Sequence, residues 1–413
     1  MQRLRGPIVL VLSALLAACG GEPLGPIGGL PRQLSVAEQK LITTTNRFAF
    51  NLFSEVVRQG HPDSNVFISP LSAAMALGMT YNGARGETRT AMAEVLGLGD
   101  LTLQEANESF LSLIDLLRGL DSRVDFRLAN SIWSKLGFVA RPEFLNVNQQ
   151  FFDAQVSTLD FSRPEAVNTI NGWVNDNTNG RIPKIIEFLS PDIVMLLINT
   201  IYFKGTWIYQ FDKDRTKDEP FTLRGGAQQT VSMMQHAGGA LVGRYRGQGF
   251  QVVDLPYGGG AYSMTIVLPD AGRDVDDLAT SLTAPAWEQI TSGLNRDSVI
   301  IAMPKFRLRW DAKLNDVLDS LGMSIAFGGR ADLSGIAGAP GDLFISFVKQ
   351  GTFVEVNEEG TEAAAATVVG IGLVCACGPP VFRIDRPFVV AIRERFSGAI
   401  LFLGKIMNPI LAD

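Results

Sequence analysis

Two histidines, His61 and His236, and three cysteines, Cys19, Cys375 and Cys377, carry most of the nucleophilic and metal-binding chemistry open to this 413-residue chain. A Ser-His-Asp or Cys-His arrangement would need one of the two imidazoles as its base. His61 sits in the turn-like run Gln59-Gly60-His61-Pro62-Asp63, and His236 follows a predicted strand in Met233-Met234-Gln235-His236-Ala237-Gly238. Both are expected at surface or turn positions. Cys375 and Cys377 have no neighbouring His or Asp and supply too few ligands for a tetrahedral zinc site. No HExxH, Walker A loop, CxxC pair, GxGxxG or GxSxG occurs anywhere. The chain is therefore not expected to be an enzyme, and no catalytic residue, metal or cofactor is assigned.

The chain that would have to position any chemistry is 46% hydrophobic and 19% charged, enough for a large core. Its formal charge of −6 gives no basic footprint, which argues against nucleic acid as a partner. Length alone suggests two or three domains. Helical periodicity runs over Val36–Gln59, ended by Gly60, and over Pro70–Tyr81, Thr88–Leu96, Leu103–Leu117, Asn168–Thr178 and Leu314–Leu321. Strands are predicted at Val124–Ser134, Met195–Phe203, Thr230–Met234, Gly249–Leu255, Tyr262–Leu268, Val299–Pro304, Phe344–Val356, Phe388–Arg393 and Ala399–Lys405. Met195–Phe203 is almost continuously apolar, as in a sheet covered on both faces. Helices early and strands late, without βαβ alternation, predict an α+β fold.

The N-terminus has the form of an export signal. Arg3 and Arg5 precede an apolar run, Ile8–Leu16, that closes in Leu16-Ala17-Ala18-Cys19. That ending resembles a bacterial lipobox, whose cysteine is lipidated and becomes the mature first residue; a plain secretory signal is the alternative. Residues 1–18 are read as the signal. Their removal leaves 34 basic against 42 acidic residues, or −8. Residues 19–35, rich in Gly and Pro, are expected to form a flexible tether spanning about 40 Å when extended.

Residues 358–380, EEGTEAAAATVVGIGLVCACGPP, are harder to place. After Glu362 there is no charge until Arg383 and no proline until Pro379. The alanines favour helix, the later Val, Ile and Gly favour strand or loop, and the run is too short and Gly-broken to cross a membrane.

Several separate stretches resemble one family, the serpins. They are residues 65–97, Ile198–Trp207 (INTIYFKGTW), residues 231–235, residues 250–269, Pro304–Leu308 and residues 314–323. Phe353–Val368 (FVEVNEEGTEAAAATV), Arg386–Phe388 and Ile400–Pro409 complete the match in order. The resemblance implies one domain over residues 36–413, with three β-sheets, about nine helices and an exposed reactive-centre loop. Residues 358–380 would be that loop. A target protease cleaves it as substrate, and the cut segment then inserts into the main sheet as an extra strand and traps the acyl-enzyme; serpin loop insertion is a named example of strand addition.

In an inserted strand, alternate side chains face opposite sides. Thr361, Ala363, Ala365, Thr367, Val369, Ile371 and Leu373 would form one face, and Glu362, Ala364, Ala366, Val368, Gly370 and Gly372 the other. Burying the first face is worth about 10 kcal/mol, so the loop-out form must be metastable and kinetically held. The resemblance makes Glu358, Glu359, Gly360, Thr361, Glu362, Ala363, Ala364, Ala365, Ala366 and Thr367 the hinge. A non-inhibitory binding or structural lipoprotein on the same fold is the rival reading; the small hinge residues favour inhibition.

Counting forward from Glu358 by the family spacing puts the reactive bond at Val374–Cys375. Counting back from Arg386-Pro387-Phe388 reaches Ala376–Cys377, so Ala376, Cys377 and Leu373 remain alternatives. These small or aliphatic residues imply an elastase-like serine protease as partner, or a chymotrypsin-like one after Leu373. An apolar-preferring papain-like cysteine protease is also open; trypsin-like targets do not fit. Cys375 and Cys377 carry a redox role or serve as small side chains, which inhibition rates with and without reductant would separate.

The resemblance also assigns Asn65, Ser69, Pro70, Ser72 and Asn199 to the polar "shutter" under the main sheet, and Trp207 and Lys305 to the "breach" where insertion begins. The usual shutter histidine is replaced by Gln350, which hydrogen-bonds but does not titrate near neutrality. Strand opening is thus expected to depend less on pH between about 5.5 and 8 than in His-bearing relatives. A monomer prone to loop–sheet polymerisation is implied. The expected location is the cell envelope, through a membrane anchor at Cys19 in the outer membrane, or the exterior as a secreted protein.

Overall fold

The computed structural model describes residues 26–361 and 378–410. Its first half is mostly helical: α1 (Val36–Gln59), the short strand β1 (Val66–Ile68), α2 (Pro70–Tyr81), α3 (Gly86–Leu96) and α4 (Leu103–Gly119). There follow β2 (Val124–Lys135), α5 (Pro142–Phe152), β3 (Ala154–Leu159), α6 (Pro164–Asn177) and β4 (Met195–Thr206). Strands then dominate: β5 (Asp212–Thr222), β6 (Gln228–Gln235), β7 (Ala240–Gly247), β8 (Phe250–Tyr257) and β9 (Tyr262–Pro269). Next come α7 (Val275–Ser281), α8 (Ala284–Ser292), β10 (Asn295–Pro304), β11 (Phe306–Lys313) and α9 (Asn315–Leu318). The chain ends with β12 (Lys349–Val356), β13 (Gly360–Thr361), β14 (Val381–Arg383), β15 (Phe388–Glu394) and β16 (Ile400–Ile406).

The main sheet has six strands in the order β11-β12-β13-β4-β2-β3. The remaining strands form two sheets joined through β10. Its first half pairs with β7 and its second half with β6 and β14. The α+β arrangement of three sheets with nine α-helices among the described residues agrees with the expectation. Helix α1 starts where it does because Ser35 caps it in a reciprocal box with Glu38. Helix α2 starts at Pro70 because Ser69 accepts from the Ser72 N–H and a proline costs nothing in the first turn. α2 is buried almost throughout and lies beneath the main sheet, with a hydroxyl contact to β4.

Three expectations are corrected. Leu314–Leu321 is α-helical only over Asn315–Leu318 and continues as a π-helical turn over Asp319–Met323, in which Gly322 turns the chain with φ +115°. Phe344–Val348 is not strand: Ile345 N–H bonds Ala326 O and Val348 N–H bonds the Asn315 side chain, so no neighbouring strand receives them. The described end of the tether, residues 26–35, lies against the body. Ile27 N–H donates to Gly259 O at 2.8 Å, and Ile27, Leu30 and Leu34 pack on the core. Among the described residues no helix is long and apolar enough to cross a membrane.

Candidate functional site

The site is the upper end of the main sheet, where β12 turns into β13. Asn357 makes the turn: its side-chain oxygen accepts from the Glu359 and Gly360 N–H groups at 3.0 and 3.2 Å, and its own N–H bonds Gly360 O at 3.0 Å. Gly360 and Thr361 then enter the sheet between β12 and β4, with Gly360 opposite Thr206 and Thr361 opposite Gly205 and Val356. Only glycine fits first, since a Cβ there would lie 2.1 Å from Gly205 O. Thr361 is buried, with its hydroxyl 2.6 Å from the Tyr257 hydroxyl. Burial pushes the Tyr257 phenol up, so it stays neutral and can donate.

Trp207 closes the top. Its indole N–H bonds Asn357 O and its backbone N–H bonds Glu359 O, both at 2.9 Å. Its ring stacks on Tyr257 at 4.3 Å between centroids. The Glu358 carboxylate is buried and held by Thr216 Oγ1 at 2.7 Å and Lys305 Nζ at 3.0 Å. Burial alone would raise this carboxyl, but the hydrogen bonds from Thr216 and Lys305 outweigh it and hold it below its ordinary value. Lys213 pairs with Glu359, and Phe211 N–H bonds Glu358 O at 2.9 Å. The expected breach residues, Trp207 and Lys305, therefore meet the described hinge residues Glu358, Glu359, Gly360 and Thr361. Glu362 to Thr367, Leu373, Val374, Cys375, Ala376 and Cys377 lie outside the described residues, as does Cys19.

Below Thr361, no ladder joins β4 to β12 among the described residues. A cavity of about 210 Å³ lies there, lined by Met195–Thr200 of β4, residues 347–351, Ile185, Ile186 and Ser72, Ala73 and Ala76 of α2. Buried Asn199 Oδ1 and Thr200 Oγ1 lack partners in it. At its floor Gln350 grips both sides of the Ser69 peptide, accepting from its N–H at 3.0 Å and donating to its carbonyl at 2.7 Å. Ser69 Oγ donates to Leu401 O at 2.8 Å, and Ser72 Oγ reaches Asn199 O at 3.5 Å.

Ser69, Pro70, Ser72, Asn199 and Gln350 thus come together as one polar cluster. Asn65 does not join it. Its side chain instead holds the chain after β16, through Met407 N, Asn408 N and Asn408 O at 2.7, 2.9 and 2.8 Å. Sequence reasoning missed Asn130, whose Oδ1 accepts from Asn199 Nδ2 at 2.7 Å. Its signal was an amide in the middle of the apolar strand LANSIW.

The described chain from Gly378 onward is firmly held. Ile300 N–H bonds Pro380 O at 2.9 Å, β14 pairs with β10 in parallel, and Arg386 Nε donates to Pro269 O. His61 is exposed in its turn as expected. His236 is not: only 3% of it is exposed. It reaches the interior because Phe211 stacks on its ring at 4.1 Å and Tyr209 O lies 3.1 Å from Nε2. Among the described residues no group of three or more His, Cys, Asp or Glu side chains could hold a metal.

A three-sheet α+β body whose main sheet takes in the two-residue strand β13 between β12 and β4 defines a class of proteins. The family model for Serpin (serine protease inhibitor) matches residues 43–409, and the chain belongs to that family. It is 36% identical to the human leukocyte elastase inhibitor over 90% of this chain and 100% of that protein, and equally to the bovine one. The solved native structure of a thermophilic serpin, tengpin, matches with TM-score 0.81 and 30% identity over 91% of this chain and 95% of that one. Human thyroxine-binding globulin, solved with its hormone, matches with TM-score 0.82 and 28% identity over 91% of this chain and 100% of that one.

Proposed function

We propose that this protein is an irreversible suicide-substrate inhibitor of serine proteases with small or aliphatic specificity. The observation that carries the reading is the seating of Gly360 and Thr361 between β4 and β12, above a stretch where those strands share no ladder. Continuing the same register would set residue 363 opposite Phe203 and Val354, and Thr367 opposite Asn199 and Gln350. Thr361 faces the interior with Tyr257, so Ala363, Ala365, Thr367, Val369 and Ile371 would follow it inward. Small side chains enter first and larger ones fill the cavity below. Each new ladder hydrogen bond adds about 1 kcal/mol, and the total rivals the stability of a domain.

Val374–Cys375 is the preferred scissile bond, with Leu373, Ala376 and Cys377 as neighbours. The likeness to leukocyte elastase inhibitors supports an elastase-like target, loosely at 36% identity. Lipidation at Cys19 would attach the protein to a membrane of the cell envelope. With docking from Ile27 onward, residues 19–25 would leave roughly 25 Å of free reach.

The test is incubation with an elastase-like protease. An SDS-stable covalent complex is expected, with release of a peptide that begins at Cys375 by mass spectrometry. Clean turnover across a panel of proteases, with no complex, overturns the inhibitory reading. Separately, nicking the loop should raise the melting temperature steeply, and an unchanged melting point would sink insertion itself.

A further inference from the structure

We infer that His236 is an acid-responsive joint between the two anchors of the reactive loop, loosening both when its ring takes a second proton. The inference rests on the loop-insertion reading above and concerns what restrains the loop before cleavage.

His236 stands one contact away from both ends. Its backbone N–H donates to Ile301 O at 3.1 Å. The neighbouring Ile300 holds Pro380, and Ile301 itself stands opposite Phe382, so this part of β10 carries the C-terminal anchor. The turn that follows His236 lies against the same anchor, since a Cβ on Gly239 would meet Pro379 Cγ at 2.9 Å. On its other side the His236 ring stacks on Phe211 at 4.1 Å. Phe211 N–H holds the Glu358 carbonyl, and its ring meets Trp207 edge to face at 6.2 Å. One residue therefore stands between the hinge and the distal anchor, reaching β10 through its backbone N–H and Phe211 through its ring.

The ring is set to stay neutral. Nε2 lies 3.1 Å from a carbonyl oxygen, which only accepts, so Nε2 carries the proton. Nδ1 is a buried lone pair with no hydrogen-bond partner. A second proton would create a charged N–H in an apolar stack with no acceptor, and the ring could satisfy it only by moving. Burial accordingly lowers its pKa to about 4. The charged groups nearest it on the hinge and the start of β5 are paired with one another. Asp212, opposite Gln235, holds Arg215; Lys213 holds Glu359; and Glu358 holds Lys305. Each of these carboxylates already has a cationic partner.

The sign follows directly. A state in which His236 is released titrates near 6.5, so it gains over the closed state as pH falls from about 6.5 to about 4. The experiment follows conversion of the intact, uncleaved protein to a heat-resistant, non-inhibitory form across this range, in wild type, His236→Phe and His236→Gln. The heat resistance of the product separates insertion from acid unfolding. Wild-type conversion should accelerate on the order of tenfold between pH 7 and 5, while both variants stay flat there. An equal slope in the variants overturns the inference. Should the variants not fold, NMR of the wild type decides, since only two histidines titrate. A native His236 signal still neutral below pH 5 supports the inference, and one titrating near 6.5 overturns it. If nicked wild type gains no heat resistance, insertion itself fails, whatever the pH profile.

Discussion

Lys305 Nζ lies 3.0 Å from Glu358 Oε2, tying the junction of β10 and β11 to the first residue of the hinge. Glu358 is buried while Lys305 is partly exposed, so removing the lysine leaves a buried carboxylate with Thr216 as its remaining side-chain partner. Lys305→Ala is expected to weaken the intact form by about 1–3 kcal/mol. It should also hasten spontaneous insertion or polymerisation under gentle heating. The Glu358 carboxyl is held below its ordinary value. Its contribution is therefore present above the unfolded pKa of about 4.3 and lost as pH falls through the lower folded value. The clamp holds across the neutral range. Unfolding midpoints and native gels of the variant check this; wild-type behaviour in both would mean that the pair restrains nothing.

Thr361 has no room to grow. It is buried on the interior face, with its hydroxyl on Tyr257 and Gly205 directly opposite. Thr361→Arg would force a guanidinium under the sheet or keep the strand from starting. The variant should still be cleaved at the same bond but should form at least about tenfold less covalent complex, because a bulky charge at the entry slows insertion relative to deacylation. Gel densitometry of complex against cleaved inhibitor measures the partition. An unchanged ratio would separate insertion from the hinge.

How much of this was legible depended on length and context. Val36–Gln59 and Pro70–Tyr81 match the structure residue for residue, the first from a long periodic pattern with a cap at its start, the second from an Ala-, Met- and Leu-rich run opened by a proline. β1, β3 and β14 are three to six residues long, too short for alternation to register. α5 was missed although Pro142 opens it. The hinge was legible only by resemblance. Gly360 and Thr361 form a two-residue strand whose meaning lies in what flanks it across the sheet, and no local pattern encodes that. His236 was misplaced for the same reason: a Gly-rich turn follows it, but its burial is set by Phe211 and Tyr209, far off in the chain. Asn65 was assigned to the shutter by position within a motif, whereas its contacts belong to the chain that follows β16.

Gln350 satisfies both polar groups of the Ser69 peptide at once, an acceptor and a donor from one amide. A neutral imidazole could match that pair with its two nitrogens, but a protonated one could not, since both would then donate. Gln350→His should therefore introduce a pH dependence into strand opening between about 5.5 and 8, faster at the acid end as the contact to the Ser69 N–H is lost. Rates of peptide annealing or of spontaneous insertion in the His236→Phe background isolate the effect. A flat profile in that double variant would show that the Ser69 contact does not gate the sheet.

Arg32 ties the docked N-terminal segment to α1 and α4 through a two-pronged contact with Glu38 at 3.0 and 2.6 Å, and through Ser112. Burial pushes the Glu38 carboxyl up, yet the bonds from Arg32, Ser112 and Ser35 prevail and bring it down to about 2. Arg32 is 43% exposed, so solvent screening reduces what the pair contributes. Arg32→Ala is expected to cost about 1 kcal/mol at neutral pH. A depressed carboxyl stabilises above its unfolded pKa and loses that contribution as pH falls toward the folded value. The penalty of the substitution should therefore shrink as pH falls toward about 2, because Glu38 takes up a proton in the folded variant, where Arg32 no longer holds it down, before it does so in wild type. Urea midpoints of wild type and variant at neutral pH and near pH 3.5 measure it. A penalty that stays constant or grows on acidification would mean that Arg32 acts through packing of its stem rather than through the Glu38 charge.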